Sequence, residues 1–153
     1  MAKYKIEGMR ELKRSIRRLG DVPQKAVTPA SRKGMNIALR TARILAPVGE
    51  TEELKKGMKL VGERSRYKGK KVYQVVFDRA KNDIFQKEVK NPIRGKKTAY
   101  YPASQEYGFF AKNGRYIPGY HFLEKALTTN VNQIEKVIVK EMLKRIEKEW
   151  RRS

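Results

Sequence analysis

Hydrophobic residues recur every three or four positions near both ends of the chain, which is the spacing of one face of an α-helix. Near the N-terminus, Gly20 and Pro23 predict the end of a first helix. Thr28-Pro29 predicts the start of a second helix, which stops at Ala46-Pro47. The apolar stripe of the first helix is Ile6, Met9, Leu12, Ile16 and Leu19. The predicted buried face of the second is Ala30, Gly34, Ile37, Ala38, Thr41, Ile44 and Leu45.

The helical spacing returns at His121 and continues to the C-terminus, which predicts a long final helix. Residues 128–130 (Thr-Thr-Asn) predict a bend or break in it, since all three residues have low helix propensity. Its apolar positions are Leu123, Leu127, Val131, Ile134, Ile138, Met142, Ile146 and Trp150.

In the centre of the chain, β-branched and aromatic residues replace the helical spacing. Met58, Leu60 and residues 72–77 predict two antiparallel strands joined by a basic hairpin tip, and a further strand is predicted over 98–101. Residues 79–97 predict a long basic loop, with or without a helical turn. The order of elements lacks β-α-β alternation. We therefore expect one α+β domain over residues 1–153, with a small antiparallel sheet packed by N-terminal helices and a long C-terminal helix.

The charge of the chain restricts its partners. There are 37 Lys and Arg against 16 Asp and Glu, a net charge of +21. Such an excess repels itself unless a polyanion or an acidic partner screens it, so nucleic acid, an anionic membrane surface or an acidic protein assembly are the candidates. No apolar run approaches the about 18 residues of a membrane span, and residues 1–8 lack the apolar core of a signal peptide. We expect no membrane partner, and assembly in the cytoplasm.

The sequence offers little catalytic chemistry. It has no cysteine and one histidine, His121, which we interpret as structural. The serines have no histidine triad, and no phosphate-binding glycine motif is present. Glu52 and Glu53 suit a helix N-terminus, and cations separate Asp78 from Asp83. We expect no enzymatic activity, no catalytic residue, no cofactor and no metal site.

The cations are concentrated in the first half and the centre of the chain. Residues 59–97 hold thirteen Lys and Arg against four Asp and Glu. Helical cations are usually a solvated face, whereas cations in loops can follow a phosphate backbone without sequence preference. Tyrosines 67, 73, 100, 101 and 107 either stack on bases or pack the sheet. The candidate contact residues are Arg66, Lys68, Lys70, Lys71, Arg94, Lys96 and Lys97.

Three segments, in order along the whole chain, carry a family resemblance: residues 46–58, 99–108 and 119–127. Together they resemble the head–tail joining family of tailed phages, the tail-completion or neck proteins of the lambdoid type. The chain departs from the family pattern at Gly49, which precedes Thr51, at Tyr120-His121, which replaces a proline, and in its longer basic loop. The residues that match are Pro47, Thr51, Leu54, Tyr101, Glu106, Gly108, Phe122, Leu123, Ala126 and Leu127.

These matching residues suit scaffold roles. Pro47 ends a helix, and Thr51 is predicted to cap the helical turn that follows. Gly108 is predicted to let the chain leave the sheet, after a strand end at Glu106 and Tyr107. Phe122, Leu123, Ala126 and Leu127 are predicted to anchor the last helix on the core.

The resemblance implies a structural virion protein of the neck. It would form a homo-oligomeric ring, a hexamer, between the head connector or stopper and the tail terminator or tail tube, with genomic DNA in its lumen. The hairpin tip and the loop 79–97 would then contact DNA or neighbouring rings. Two alternatives stay open: a tail-terminator ring that caps the tail tube, and a stand-alone basic nucleic-acid-binding protein, which the net charge alone supports.

Overall fold

The computed structural model of the protein describes residues 9–50, 52–89 and 98–152, with the backbone alone for 9–19. The helices in this part of the chain are α1 (Met9–Leu45), α2 (Glu53–Lys56), α3 (Asn82–Phe85), α4 (Tyr101–Tyr107), α5 (Phe122–Thr128) and α6 (Val131–Trp150). The strands are β1 (Met58–Gly62), β2 (Tyr73–Phe77), β3 (Gln86–Glu88), β4 (Thr98–Tyr100), β5 (Gly108–Phe110) and β6 (Tyr116–Pro118). They pair as three separate antiparallel hairpins, β1–β2, β3–β4 and β5–β6. The predicted α+β class is confirmed.

The N-terminal half of the chain is one helix, so the predicted division into two helices at residues 20–29 is wrong. Pro23 and Pro29 both lie inside α1. Each proline removes one helical hydrogen bond, which usually breaks or kinks a helix. Here tertiary contacts hold the segment between them: Gln24 bonds to Ser65, and Lys25 pairs with Glu149. These contacts with Ser65 and Glu149 on two sides of α1 outweigh the helix-ending effect of the prolines. Of the predicted first stripe, Ile6 lies outside the described residues.

α6 packs along α1, and the predicted break between the last two helices is confirmed at residues 129–130. The Asn130 amide donates to the Ala126 carbonyl and to Thr41 Oγ1 of α1, so the break is tied to α1. Gly34 allows the two helices to approach closely, because a Cβ there would lie 2.6 Å from Ile138 Cγ1. Farther along, the Lys33 ammonium lies 2.8 Å from the Glu141 carboxylate. Within the described residues, no helix has the length and apolar character needed to cross a membrane.

The hydrophobic core lies at the C-terminal end of α1. Its buried residues come from α1, the turn after it, α2, β1 and α5, and they include Leu54 of α2 and two of the matching residues of α5. Two predicted core positions, Ile44 and Leu45, are exposed, and Leu39 and Ala42 are buried instead. Leu127 is also 45% exposed, so it does not anchor α5 as predicted. The core cluster is Leu39, Ala42, Ala46, Leu54, Met58, Phe122 and Ala126.

Residues 79–88 are regular, which corrects the predicted long loop over this part, although the helical turn allowed within it is present. The Asp78 carboxylate accepts from the Ala80 N–H and caps a 3-10 turn at Arg79–Lys81, after which α3 and β3 follow directly. Phe85 is fully buried, with its ring edge-on to Phe77 and Tyr100. The burial of the Phe85 ring thus packs this mostly polar segment against Phe77 and Tyr100. Residues 90–97 lie outside the described part of the chain.

Residues 101–107 form a helix, so the predicted strand end at Glu106 is wrong. Gly108 does end this element with a positive φ of 89°, and it begins β5. Glu106 is buried, and its carboxylate accepts from the Leu123 N–H (2.9 Å) and the Glu124 N–H (3.1 Å) at the start of α5. Thr51, the other predicted cap, lies outside the described residues, and Glu52 occupies the N-cap position of α2.

The backbone around Glu106 is closely packed as well. The Tyr120 and His121 N–H groups donate to the Gln105 and Glu106 carbonyls, at 2.8 and 3.0 Å. A Cβ at Gly119 would lie 2.2 Å from the Glu106 carbonyl oxygen, so only glycine fits there. The second and third segments of the family resemblance are therefore in direct contact in the fold.

We expect Glu106→Ala to destabilise the protein by about 1–3 kcal/mol, because it leaves two part-buried N–H groups at the start of α5 without their acceptor. The melting temperature should fall by about 2–4 °C for each kcal/mol. Thermal unfolding followed by circular dichroism measures this change. Glu135→Ala, on an exposed face of α6, is the matched control. Equal melting temperatures for the two variants would contradict the capping role.

We expect Gly34→Ala to destabilise the protein by about 1–3 kcal/mol, because the added methyl group forces Ile138 away and separates α1 from α6. Gly20→Ala is the control, since it lies in the same helix with nothing within 4 Å of the added Cβ. An interior helical Gly→Ala change without a clash stabilises by up to about 1 kcal/mol. Urea midpoints that move in the same direction in both variants would refute the close approach at Gly34.

Candidate nucleic-acid interface

The basic hairpin, residues 63–72, connects β1 to β2 and contacts the first half of α1. The Gly69 N–H donates to Gln24 Oε1 (3.1 Å), and Gln24 Nε2 donates to Ser65 Oγ (3.3 Å). The Tyr73 hydroxyl donates to the Thr28 carbonyl farther along α1. Gly69 has φ of 78°, which allows the tight turn at the tip. The predicted hairpin is therefore confirmed, and it is fixed to a helix at its tip.

The predicted cations of this hairpin fall into two groups. Lys68 pairs with Asp21 of α1 at 3.2 Å. Lys71 bonds to the Glu63 carbonyl, and its ammonium lies 5.6 Å from the centre of the Tyr73 ring. These two lysines therefore hold the hairpin in place. Arg66 and Lys70 instead line a concave surface.

This concave surface encloses about 770 Å³ and is open to solvent. Arg64, which the sequence analysis did not select, lines it together with Arg66 and Lys70. Within the described part of the chain, these three side chains make no hydrogen bond or ion pair. The surface also carries Tyr67, which is 70% exposed. Three cations and an exposed aromatic ring are thus available to an anionic ligand.

A second basic surface adjoins the hairpin through Gln24, and sequence reasoning missed it. Lys25 of α1 and Arg145, Lys148 and Arg152 of the C-terminal segment line a groove of about 540 Å³ between the two helices. The sequence predicts a solvated face for the helical cations, because Lys and Arg on an amphipathic helix most often lie on that face. The antiparallel packing of α6 on α1 brings them together, and only the helix pairing could have indicated this groove.

Most acidic residues in this region are paired with cations; Glu63, which also lines the concave surface, instead accepts a hydrogen bond from Gln74 Nε2. Glu149 lies 3.7 Å from Lys25 and 3.8 Å from Arg152, and Asp21 pairs with Lys68. Glu141 accepts from Lys33 and Arg145. The hydrogen bond from Lys33 is the main reason that the pKa of Glu141 is lowered. These carboxylates hold the neighbouring cations in place, and the two basic surfaces together still carry more cations than acids.

Similar ion pairs hold the base of the β1–β2 hairpin. The hydrogen bond from Lys59 lowers the pKa of Asp78, and the hydrogen bond from Lys81 lowers that of Glu53. Both acids are thus used in structural pairs. Among the described residues there is no cluster of three or more acidic, His or Cys side chains that could hold a metal ion.

The other predicted contact residues and the predicted tyrosine platform do not form one site among the described residues. Arg94, Lys96 and Lys97 lie outside the described residues. Of the predicted tyrosine platform, Tyr100 packs edge-on against Phe77 and Phe85, whereas Tyr67 and Tyr107 are exposed. Gln24, which contacts the hairpin tip, and Ala42, in the core, are separated by eighteen residues of α1, or about 27 Å at 1.5 Å per residue. Tyr67 at the hairpin tip and Tyr100 beside the core therefore lie too far apart to belong to one surface.

A scan against protein-family models, a search of curated proteins and a search of solved structures found no match to this chain. The assignment of a function therefore depends on the residues and their geometry.

Acid should weaken the contact between α1 and α6 through Glu141. Its pKa is lowered in the folded state, so its stabilising effect is present above the unfolded pKa of about 4.3 and is lost as pH falls through the folded value. We expect Glu141→Gln to lower the urea midpoint at pH 7 and to match the wild type at the acid end. Glu135→Gln, which leaves the Lys33 and Arg145 contacts intact, is the control. A difference for Glu141→Gln that persists unchanged into acid would exclude this mechanism.

Proposed function

We propose that this chain is a structural protein of the tailed-phage neck, which joins the DNA-filled head to the tail as a homo-oligomeric ring around the DNA channel. The head connector or stopper and the tail terminator or tail tube are its proposed neighbours. The basic hairpin, with the adjoining helical groove, faces the genomic DNA. The observation that carries the DNA contact is the concave surface formed by Arg64, Arg66 and Lys70.

The form of this surface favours sequence-independent contact with phosphates. Its cations lie on an antiparallel hairpin and on the sides of helices. Within the described part of the chain, this surface presents no helix end that could enter a groove of DNA. Arg and Lys that reach phosphates supply affinity without reading bases. A protein that surrounds a moving genome needs this kind of contact, because every sequence in the genome passes through the ring.

The contact between Glu106 and the start of α5 supports the family resemblance. Two of the three matching segments meet there, and Phe122 and Ala126 beside them are buried in the core with Leu54 of the first segment. Leu54, Glu106, Phe122 and Ala126 thus belong to one structural unit, whereas Leu127 is exposed and Thr51 lies outside the described residues. Pro47 and Tyr101 lie beside this unit and are partly buried.

A salt titration tests the DNA contact. We expect the triple variant Arg64→Gln, Arg66→Gln, Lys70→Gln to bind double-stranded DNA more weakly. The slope of log K against log salt concentration should become shallower by about 0.9 for each phosphate contact that is lost. Fluorescence anisotropy with two oligonucleotides of unrelated sequence measures both quantities, and the effect should be equal for the two.

The matched control for this triple variant is Lys136→Gln, Lys140→Gln, Lys144→Gln on the exposed side of α6. It removes the same charge from a different surface. If both triple variants reduce the slope equally, net charge alone attracts DNA, and the basic hairpin has no special role. This result would favour the stand-alone nucleic-acid-binding alternative.

Electron microscopy of a lysate that lacks the protein separates the joining role from the tail-terminator alternative. For the joining role, we expect filled heads beside unattached, capped tails of normal length. Tails of excessive length would assign the chain to the terminator ring instead.

A further inference from the structure

An aromatic hairpin, residues 107–120, projects from the core end of the molecule. It contains five aromatic residues, the cations Lys112 and Arg115, and no acidic residue. Phe110 is 72% exposed, and its ring lies 5.2 Å from that of Tyr116. Isolated exposed apolar side chains are common, but a contiguous group of this kind marks an interaction surface.

The backbone of this hairpin is ordered by its own hydrogen bonds. The Ala111 N–H donates to the Arg115 carbonyl at 2.8 Å, and the Gly114 N–H donates to the Ala111 carbonyl at 2.9 Å. At its base, a Cβ on Gly108 would lie 2.3 Å from the Ile117 carbonyl oxygen, so the two strands are in close contact. The exposed rings are therefore held on a stable support, which reduces the entropy that binding would cost.

A second surface has complementary properties. The acidic turn, residues 44–50 and 52, contains Glu50 and Glu52 and no cation. Glu53, which follows it, is paired with Lys81 and adds no free charge. Ile44 and Val48 are 75% and 65% exposed, and Glu50 and Glu52 are exposed beside them. Arg43, just before the turn, is directed to the Met58 carbonyl at 2.6 Å and does not neutralise it. This turn thus combines apolar side chains with local negative charge.

We infer that the aromatic hairpin of one chain docks on the acidic turn of a second copy. Two chains of charge +21 repel each other, so an interface between copies requires a site where opposite charges meet. The hairpin and the turn supply opposite charges and apolar surface on both sides. Both are exposed in the single chain, so neither covers the other.

This contact is heterologous, because it joins two different surfaces. Such an interface repeats from copy to copy and closes into a ring when the rotation between neighbours allows it. The inference deepens the proposed function by naming the surface between ring subunits, and it rests on that proposal for the closure of the ring. The basic hairpin at the other end of α1 stays free for DNA.

Engineered disulfides test this interface directly, since the chain contains no cysteine of its own. A chain with Phe110→Cys is mixed with a chain with Val48→Cys under mild oxidation. Disulfides require Cα atoms within about 7 Å, so cross-linking reports close contact. The control mixes Phe110→Cys with Val139→Cys, which is similarly exposed on α6. We expect about tenfold more mixed dimer from the first mixture than from the control.

Charge reversal identifies the cause. Lys112→Glu with Arg115→Glu in the hairpin partner should lower the yield of mixed dimer, as should Glu50→Lys with Glu52→Lys in the other partner. Combining both reversed partners should restore the yield. A chain carrying Phe110→Cys and Val48→Cys together should form a ladder of oligomers that ends at a closed ring.

Three results would overturn the inference. The yield of mixed dimer could equal the control, the Phe110→Cys chain could cross-link mainly to itself, or charge reversal could leave the yield unchanged.

If Phe110→Ala instead weakens binding to single-stranded oligonucleotides while self-association is unaltered, the hairpin is a base-stacking surface. If the cross-linking fails but the triple variant at the basic hairpin shows the expected shallower salt dependence of DNA binding, the proposed DNA contact still holds. If the cross-links are specific but the Arg64, Arg66 and Lys70 changes do not alter DNA binding, only the proposed DNA contact is wrong.

Discussion

The buried carboxylate of Glu106 organises the core end of the molecule. It accepts from two N–H groups at the start of α5, and the chain that leads into α5 passes so close to α4 that Gly119 cannot carry a side chain. The start of α5 supplies both donors to this side chain, and the dipole of a helix N-terminus favours an acidic side chain there. The position of α5, and hence of Phe122 in the core, depends on this contact.

The long helix α1 separates the two ends of the molecule. At its C-terminal end it contributes Leu39 and Ala42 to the core, and toward its N-terminal half it holds the basic hairpin and the last turns of α6. A single continuous helix sets this separation, which two helices with a flexible joint would not. The surface proposed for DNA and the surface proposed for a second copy can therefore act at the same time.

Much of the fold could be predicted because its signals are local. The β1–β2 hairpin, the break before α6 and the positive φ at Gly108 follow from alternation, propensity and the freedom of glycine. The continuity of α1 through Pro23 and Pro29 could not be predicted, because distant contacts stabilise it. The site divides in the same way: Arg66 and Lys70 were identified from one cationic run, whereas the groove around Lys25 and Lys148 exists only through the pairing of two helices.

The central claim is that the chain forms the ring at the neck, with its basic hairpin toward the genome. Cryo-electron microscopy of the intact phage particle tests it most directly, because it locates the chain and its orientation together. We expect one closed ring of this chain between the head and the tail, with Arg64, Arg66 and Lys70 facing the DNA in the lumen. A ring with these residues on its outer surface, or a particle without the chain at the neck, would contradict the account.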